Sequence, residues 1–294
     1  MVKLAFAAIL AGWLLTPAKA WADNQENGGK TRLRFGLTAV AVESDVATHK
    51  KLIHIIEKRL NIPVETIYRK SYQEMSSLLE SGGVDVAFVC GLPYVLDHEK
   101  FGLELLAAPV FNGKPYYQSL LIVHKDSKAA SLEDLRGKIF AFSDPMSNSG
   151  FLVPVYNLSR IKETPESFFK TRFFTYSHSS SIEAVASHLA DAANVDSYVW
   201  EWVGKIHPEL ISQTKIIQKS DFMPFTPFVI RPGLDKRIKA RIQDIFLTLH
   251  NDPEGRAALN SMALEKFERM KDSDYDSIRR MRRSVSFQKV ASPK

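Results

Sequence analysis

Two rhythms of apolar residues alternate along this chain. Leu33-Arg34-Phe35-Gly36-Leu37 repeats every second position, the period of a strand, and Leu52, Ile53, Ile56 and Leu60 then recur at helical spacing. Pro63 to Tyr68 returns to the strand rhythm and Tyr72 to Leu79 to the helical one, which Gly82-Gly83 ends. Val84-Asp85-Val86-Ala87-Phe88-Val89-Cys90 is almost continuously apolar, as strands of a parallel sheet are. This alternation predicts an α/β fold with right-handed crossovers. Gly91-Leu92-Pro93-Tyr94 reads as a turn at the carboxyl end of its strand, where open α/β sheets place a ligand crevice.

A second set follows a long extended segment, Tyr116 to Val123. Ser131 to Lys138 reads as a short capped helix and turn, Lys138 to Phe142 as a buried strand, and Phe151 to Ile161 as a helix. Phe173 to Tyr176 and Ala192 to Asp196 are further strands, with Ile182, Val185, Ala186 and Leu189 on a helix between them. Pro224 to Ile230 reads as an extended return, and Asp235 to His250 and Glu254 to Met262 as amphipathic helices. This order predicts two lobes joined by two hinge strands, one of residues 31–119 with 228–290 and one of 120–227, with a ligand between them.

Residues 1–22 break the pattern. Lys3 precedes an apolar run from Leu4 to Leu15, and Ala18-Lys19-Ala20 and Ala20-Trp21-Ala22 offer small-residue cleavage points, so a signal peptide cut after Ala20 or Ala22 is expected. The run falls short of the roughly 20 residues of a membrane span, and a periplasmic protein follows most simply. Removing Lys3 and Lys19 lowers the formal net charge from +6 to +4, with much of the excess in Arg279-Arg280-Met281-Arg282-Arg283. No aromatic residues interleave that run, so it reads as a solvated helix end and nucleic acid is not an expected partner. Cys90 is the single cysteine, so no internal disulfide can form.

The candidate chemistry lies in Ser143-Asp144-Pro145-Met146-Ser147-Asn148-Ser149-Gly150. Small hydrogen-bonding residues precede a helix whose first N–H groups lack partners, an arrangement that suits an anion. A turn and a capped helix with no ligand explain the same residues. Cys90 is read either as a small buried hydrophobe or as a soft ligand facing the crevice, and His178, a lone histidine after a strand, reads as a cap of the next helix unless it meets a ligand. No metal-ligand spacing, nucleophile elbow, phosphate loop or dinucleotide fingerprint occurs, so neither enzyme activity nor a cofactor is expected.

From Asp144 to Pro154 the chain resembles the periplasmic phosphonate, phosphite and phosphate binding proteins of ABC importers. Tyr72 to Met75, Val84 to Phe88, Tyr116 to Val123, Ser131 to Lys138, Ser177-His178 and Phe228 to Arg231 fall in that family's order. The resemblance implies the two-lobed type II periplasmic solute-binding fold, a small oxyanion ligand and an inner-membrane ABC permease as partner. It implies that Ser147, Asn148 and Ser149 form the anion cradle, that His178 donates to a ligand oxygen, and that Tyr94 and Cys90 line the first-lobe wall. Tyr198 and Thr226 stand where aminophosphonate binders carry carboxylates, which implies a compact oxyanion without an ammonium group. Within the same superfamily, arsenite-binding proteins use one cysteine and report to a membrane histidine kinase, so a sensor working through Cys90 is the alternative.

Overall fold

The computed structural model describes residues 32–38 and 46–285; the expected signal peptide lies outside the described residues. The chain runs through β1 (Leu33–Leu37), α1 (Val46–Leu60), β2 (Val64–Tyr68), α2 (Tyr72–Glu80), β3 (Val86–Phe88), α3 (Gly91–Phe101) and β4 (Glu104–Val110). Two short strands, β5 (Tyr116–Tyr117) and β6 (Ser119–His124), lead to β7 (Ile139–Phe142), a π-helical turn (Asn148–Leu152), α4 (Val153–Arg160) and β8 (Thr171–Phe174). Then come α5 (His178–Ala186), β9 (Ala192–Asp196), α6 (Ser197–Ile206), β10 (Thr214–Lys219), β11 (Met223–Pro224) and β12 (Phe228–Ile230). The chain closes with α7 (Lys236–Thr248), α8 (Pro253–Ser261), β13 (Lys266–Glu268) and α9 (Asp276–Ser284).

These strands form two main sheets. The first has the order β13-β4-β12-β3-β1-β2 and the second β10-β6-β9-β7-β8. Within each, the alternating strand-helix units give parallel pairs: β1 with β2 and β3, and β7 with β8 and β9. An antiparallel strand then joins, β12 beside β3 and β6 beside β9. The chain passes between the sheets at β5 and β11, which pair antiparallel with Tyr117 opposite Met223.

The apolar runs are buried as their pattern requires. Phe35, Phe88, Phe228, Phe246 and Phe267 stack under the first sheet, and Phe140, Phe142, Phe151, Phe169 and Phe174 under the second. Each fully buried Phe of this kind contributes about 1.5–3 kcal/mol. Asp85, buried at the start of β3, accepts from Arg34 Nη2 at 3.0 Å and Arg231 Nε at 2.8 Å, tying β1 and β12 to β3. The carboxyl is held below its usual range: the guanidinium bonds of Arg34 and Arg231 outweigh the upward push of burial.

Several expectations need correction. Gly91 to Tyr94 is the first turn of α3, since Pro93 is tolerated where its missing N–H has no helical partner. The expected long strand from Tyr116 breaks at Gln118, whose side chain donates to the Ser220 carbonyl, and the return strand breaks between Pro224 and Phe228. The helix expected from Phe151 begins at Asn148 as the π turn. Strands β4, β10 and β13 have no counterpart among the expected elements.

Candidate functional site

The two halves meet where β3 and β7 end: Cys90, after β3, and Tyr72, after β2, contact Asn148 and Asp144, which follow β7. Ser147 is the N-cap of the π turn: its Oγ accepts the N–H of Gly150 at 3.0 Å. The turn is π rather than α because Leu152 N–H bonds back to the Ser147 carbonyl, a geometry that occurs often at functional sites. Ser119 Oγ donates to the Ser149 carbonyl at 2.8 Å and accepts from Asn194 Nδ2 at 2.8 Å, so two strands of the second sheet brace the cradle from below.

Gly150 makes the turn possible. A Cβ there would lie 1.8 Å from Ser143 Oγ and 3.1 Å from His178 Cε1, so Ser143, the π turn and His178 converge on one point. His178 Nδ1 faces the N–H of Asp196 at 3.2 Å and must accept it, which places the proton of the neutral ring on Nε2. Nε2 lies 3.4 Å from Ser147 Oγ. Burial pushes the imidazole down to about 4, so the ring is neutral at ordinary pH and presents Nε2–H as a donor.

The first-sheet half supplies the opposite wall. Cys90, the N-cap of α3, is buried, and its Sγ accepts the N–H of Asn148 at 3.2 Å across the gap. Burial pushes the thiol up to about 11. Tyr72 opens α2 and its N–H reaches Asp144 Oδ2 at 3.3 Å, a second bond between the halves. Asn148 Nδ2 donates to Tyr117 Oη at 2.9 Å and Met223 Sδ at 3.2 Å, linking the cradle to the crossover strands. Thr226 is fully buried beside β3, where Pro227 O accepts the N–H of Val89.

Four polar atoms of this region are buried with no hydrogen-bond partner among the described residues: Ser143 Oγ, Asn148 Oδ1, Ser149 Oγ and Thr226 Oγ1. An unmet buried polar group costs about 1–3 kcal/mol, so their gathering in one region is the signature of a missing polar guest.

Ser147, Asn148, Ser149, His178 and Cys90 are therefore brought together, with Thr226 at the same strand ends. Two other expected residues are not. Tyr94 Oη donates to Asp272 Oδ1 at 2.7 Å while its ring packs edge-on against Tyr275. Tyr198 Oη donates to the Met262 carbonyl at 2.7 Å and its ring lies against Phe111 and Phe225. The charge picture also changes, because Asp144 and Asp196 are buried in this region and burial pushes them up to about 6 and about 7. Ser143 and Asp144 stood inside the candidate stretch without a role of their own, and Asp196, Tyr72 and Tyr117 were not singled out as site residues. The signal available was position, since Asp196 ends its strand as Cys90 follows β3.

Comparisons with known proteins bear on the family and the fold. The family model for ABC transporter, phosphonate, periplasmic substrate-binding proteins matches residues 35–275. The phosphonates-binding periplasmic protein of Escherichia coli K12 is 29% identical over 301 residues, covering 100% of this chain and 87% of that protein. The binding protein component of an ABC phosphonate transporter from Pseudomonas aeruginosa superposes with a TM-score of 0.81 at 26% identity, over 86% of each chain. The PhnD1 protein of Prochlorococcus marinus, solved in complex with methylphosphonate, gives 0.79 at 20% identity, over 86% of this chain and 98% of that one. The fold is the two-lobed type II periplasmic binding fold, and the chain belongs to the family of periplasmic substrate-binding proteins of ABC phosphonate transporters.

Proposed function

We propose that this protein closes on a small phosphorus oxyacid, namely phosphite, phosphate or a simple phosphonate, and delivers it to an ABC permease in the inner membrane. One observation carries the reading: three buried polar atoms without a partner among the described residues, Ser143 Oγ, Asn148 Oδ1 and Ser149 Oγ, lie on or against the π turn beside His178. Ser147, Ser149 and His178 donate to the ligand from one lobe, residues 120–227. Cys90 and Thr226 close over it, Cys90 from the other lobe of residues 31–119 and 228–290 and Thr226 from the return segment that leads back to it. Release follows when the bonds from Asn148 to Cys90 and from Tyr72 to Asp144 break and the halves part about β5 and β11.

Titration calorimetry with phosphite, phosphate and methylphosphonate tests this, and silence with all three rejects it. Ser149→Ala removes a buried hydroxyl of the cradle, and a hydrogen bond to a charged ligand of about 1.5–3 kcal/mol corresponds to a loss of about ten- to hundredfold in affinity. Unchanged affinity would place the ligand elsewhere. The sensor reading gains no support, because the Cys90 thiol is held protonated and its sulfur is engaged by the Asn148 N–H.

A further inference from the structure

Asp196 stands apart from every other polar group of the cleft. Both N–H groups that it caps, Tyr198 at 2.8 Å and Val199 at 3.4 Å, go to Oδ1, and among the described residues none donates to Oδ2. Asp144 differs, with Oδ1 on Met146 N–H and Oδ2 on Tyr72 N–H. The titratable side chains facing Asp196 are Cys90 at the head of α3, Tyr72 at the head of α2 and Tyr117 on β5, and its own N–H meets His178 on α5. All four are neutral groups. No Lys or Arg among the described residues pairs with Asp144 or Asp196. A fully ionised oxyanion seated between Ser149 and His178 would thus meet a carboxylate with no counter-charge between them.

Resting on the function proposed above, we propose that Asp196 Oδ2 shares one proton with a ligand hydroxyl, so that the site recognises an oxyacid carrying a P–OH group and rejects oxyanions without one. One imidazole spans the gap from the Asp196 N–H to Ser147 Oγ, through bonds of 3.2 and 3.4 Å. The one ring therefore seats Asp196 beside the cradle that would hold the oxyacid group. The proton balance is simple: a ligand that is doubly ionised in solution binds together with one proton from the medium. Burial, which lifts Asp196 up to about 7, works in the same direction.

The test is calorimetry of phosphite and methylphosphonate from about pH 5.5 to about pH 8.5, in paired buffers of different protonation enthalpy, with sulfate and aminomethylphosphonate alongside. The wild type should take up about one proton per ligand at the alkaline end, where affinity falls about tenfold per pH unit, and sulfate should give no heat there. Asp196→Asn keeps an N-cap oxygen on Tyr198 and Val199 and so keeps the helix start, while it replaces Oδ2 with a donor. It should bind phosphite with no proton uptake, and its affinity should be flat at the alkaline end, where the free ligand is already doubly ionised. Proton uptake that persists in Asp196→Asn overturns the proposal, as does aminomethylphosphonate binding more tightly than methylphosphonate without uptake. If no phosphorus oxyacid binds the wild type at any pH, the function reading fails and this inference fails with it; binding without uptake defeats this inference alone.

Discussion

In the first sheet β2, β1, β3 and β12 lie side by side, and in the second β8, β7, β9 and β6 repeat that order with the same pairing senses. The plan places matching residues at matching points. Tyr72 opens the helix after β2 and His178 the helix after β8, each behind a serine N-cap. Cys90 caps the helix after β3 and Asp196 the helix after β9, with φ of −68° and −70°. The backbone frame is thus held in common while the side chains diverge. One half brings a thiol and a phenol that carry no charge, and the other a carboxyl and an imidazole whose protons can move. Chemistry in this cleft is concentrated in the second half, and the first half closes it.

That asymmetry is most exposed at two glycines. Gly150 in the second half has Ser143 Oγ 1.8 Å and Ser143 Cβ 2.8 Å from where its Cβ would stand, whereas Gly91 in the first has the tip of Ile278 at 2.6 Å. A side-chain tip can rotate away, but Ser143 sits at the end of β7 and cannot move without the sheet. Gly150→Ala should push the π turn off His178 and lower ligand affinity by about a hundredfold or more, as a misplacement near 1 Å does at a tightly fitted site. Gly91→Ala should cost far less affinity. Calorimetry on both variants, with melting curves to verify folding, decides it; equal losses would break the comparison.

Much of the fold was legible because it rests on period. Apolar alternation in β1 and continuous apolar runs in β3 and β7 located those strands, and the helices between them followed from spacing, while their serine caps at Ser71 and Ser177 emerge only in the structure. Strand β10 was not legible, because Thr214-Lys-Ile-Ile-Gln-Lys219 is a half-exposed edge strand whose pairing with β6 is irregular near Ile216. The cradle was visible through Ser147 and Ser149, which are small hydroxyls before an apolar helix start. Asp196 was not, because an aspartate at a strand end is an ordinary helix cap, and only an Oδ2 without a donor among the described residues and the histidine behind it separate the two roles. Tyr94 and Tyr198 were misplaced for the converse reason: direction within the first turn of a helix decides whether a ring faces the cleft, and spacing alone does not give it.

Cys90 offers a smaller and sharper test of the first half as a closing wall. Its sulfur holds the Asn148 N–H across the gap, a bond of about 0.5–1.5 kcal/mol in the closed form. Cys90→Ala should therefore weaken phosphite binding by about three- to tenfold, and Cys90→Ser, which keeps an acceptor, by less. Tighter binding in Cys90→Ala would show instead that the Asn148 N–H belongs to the ligand and that the thiol competes for it.

The smallest effect concerns the unliganded protein and separates the two caps by pH. A carboxyl raised on folding gives stability that is complete below its ordinary value and is lost as pH rises through the folded one, so the contribution of Asp196 disappears toward about 7 and that of Asp144 toward about 6. His178, pushed down to about 4, acts in reverse: its contribution is complete above the ordinary histidine value and is lost as pH falls. Two groups therefore favour acid and one opposes, so these three together make the wild type less stable as pH climbs from about 5 to about 7. Asp196→Asn leaves Asp144 and His178 nearly balanced, and its denaturation midpoint should gain on the wild type between about pH 5 and about pH 8. Cys90→Ser should shift the midpoint by the same amount at both ends, because a thiol pushed up to about 11 does not titrate in that range. If Cys90→Ser proved as pH-dependent as Asp196→Asn, the division between a proton-active half and a neutral one would not hold.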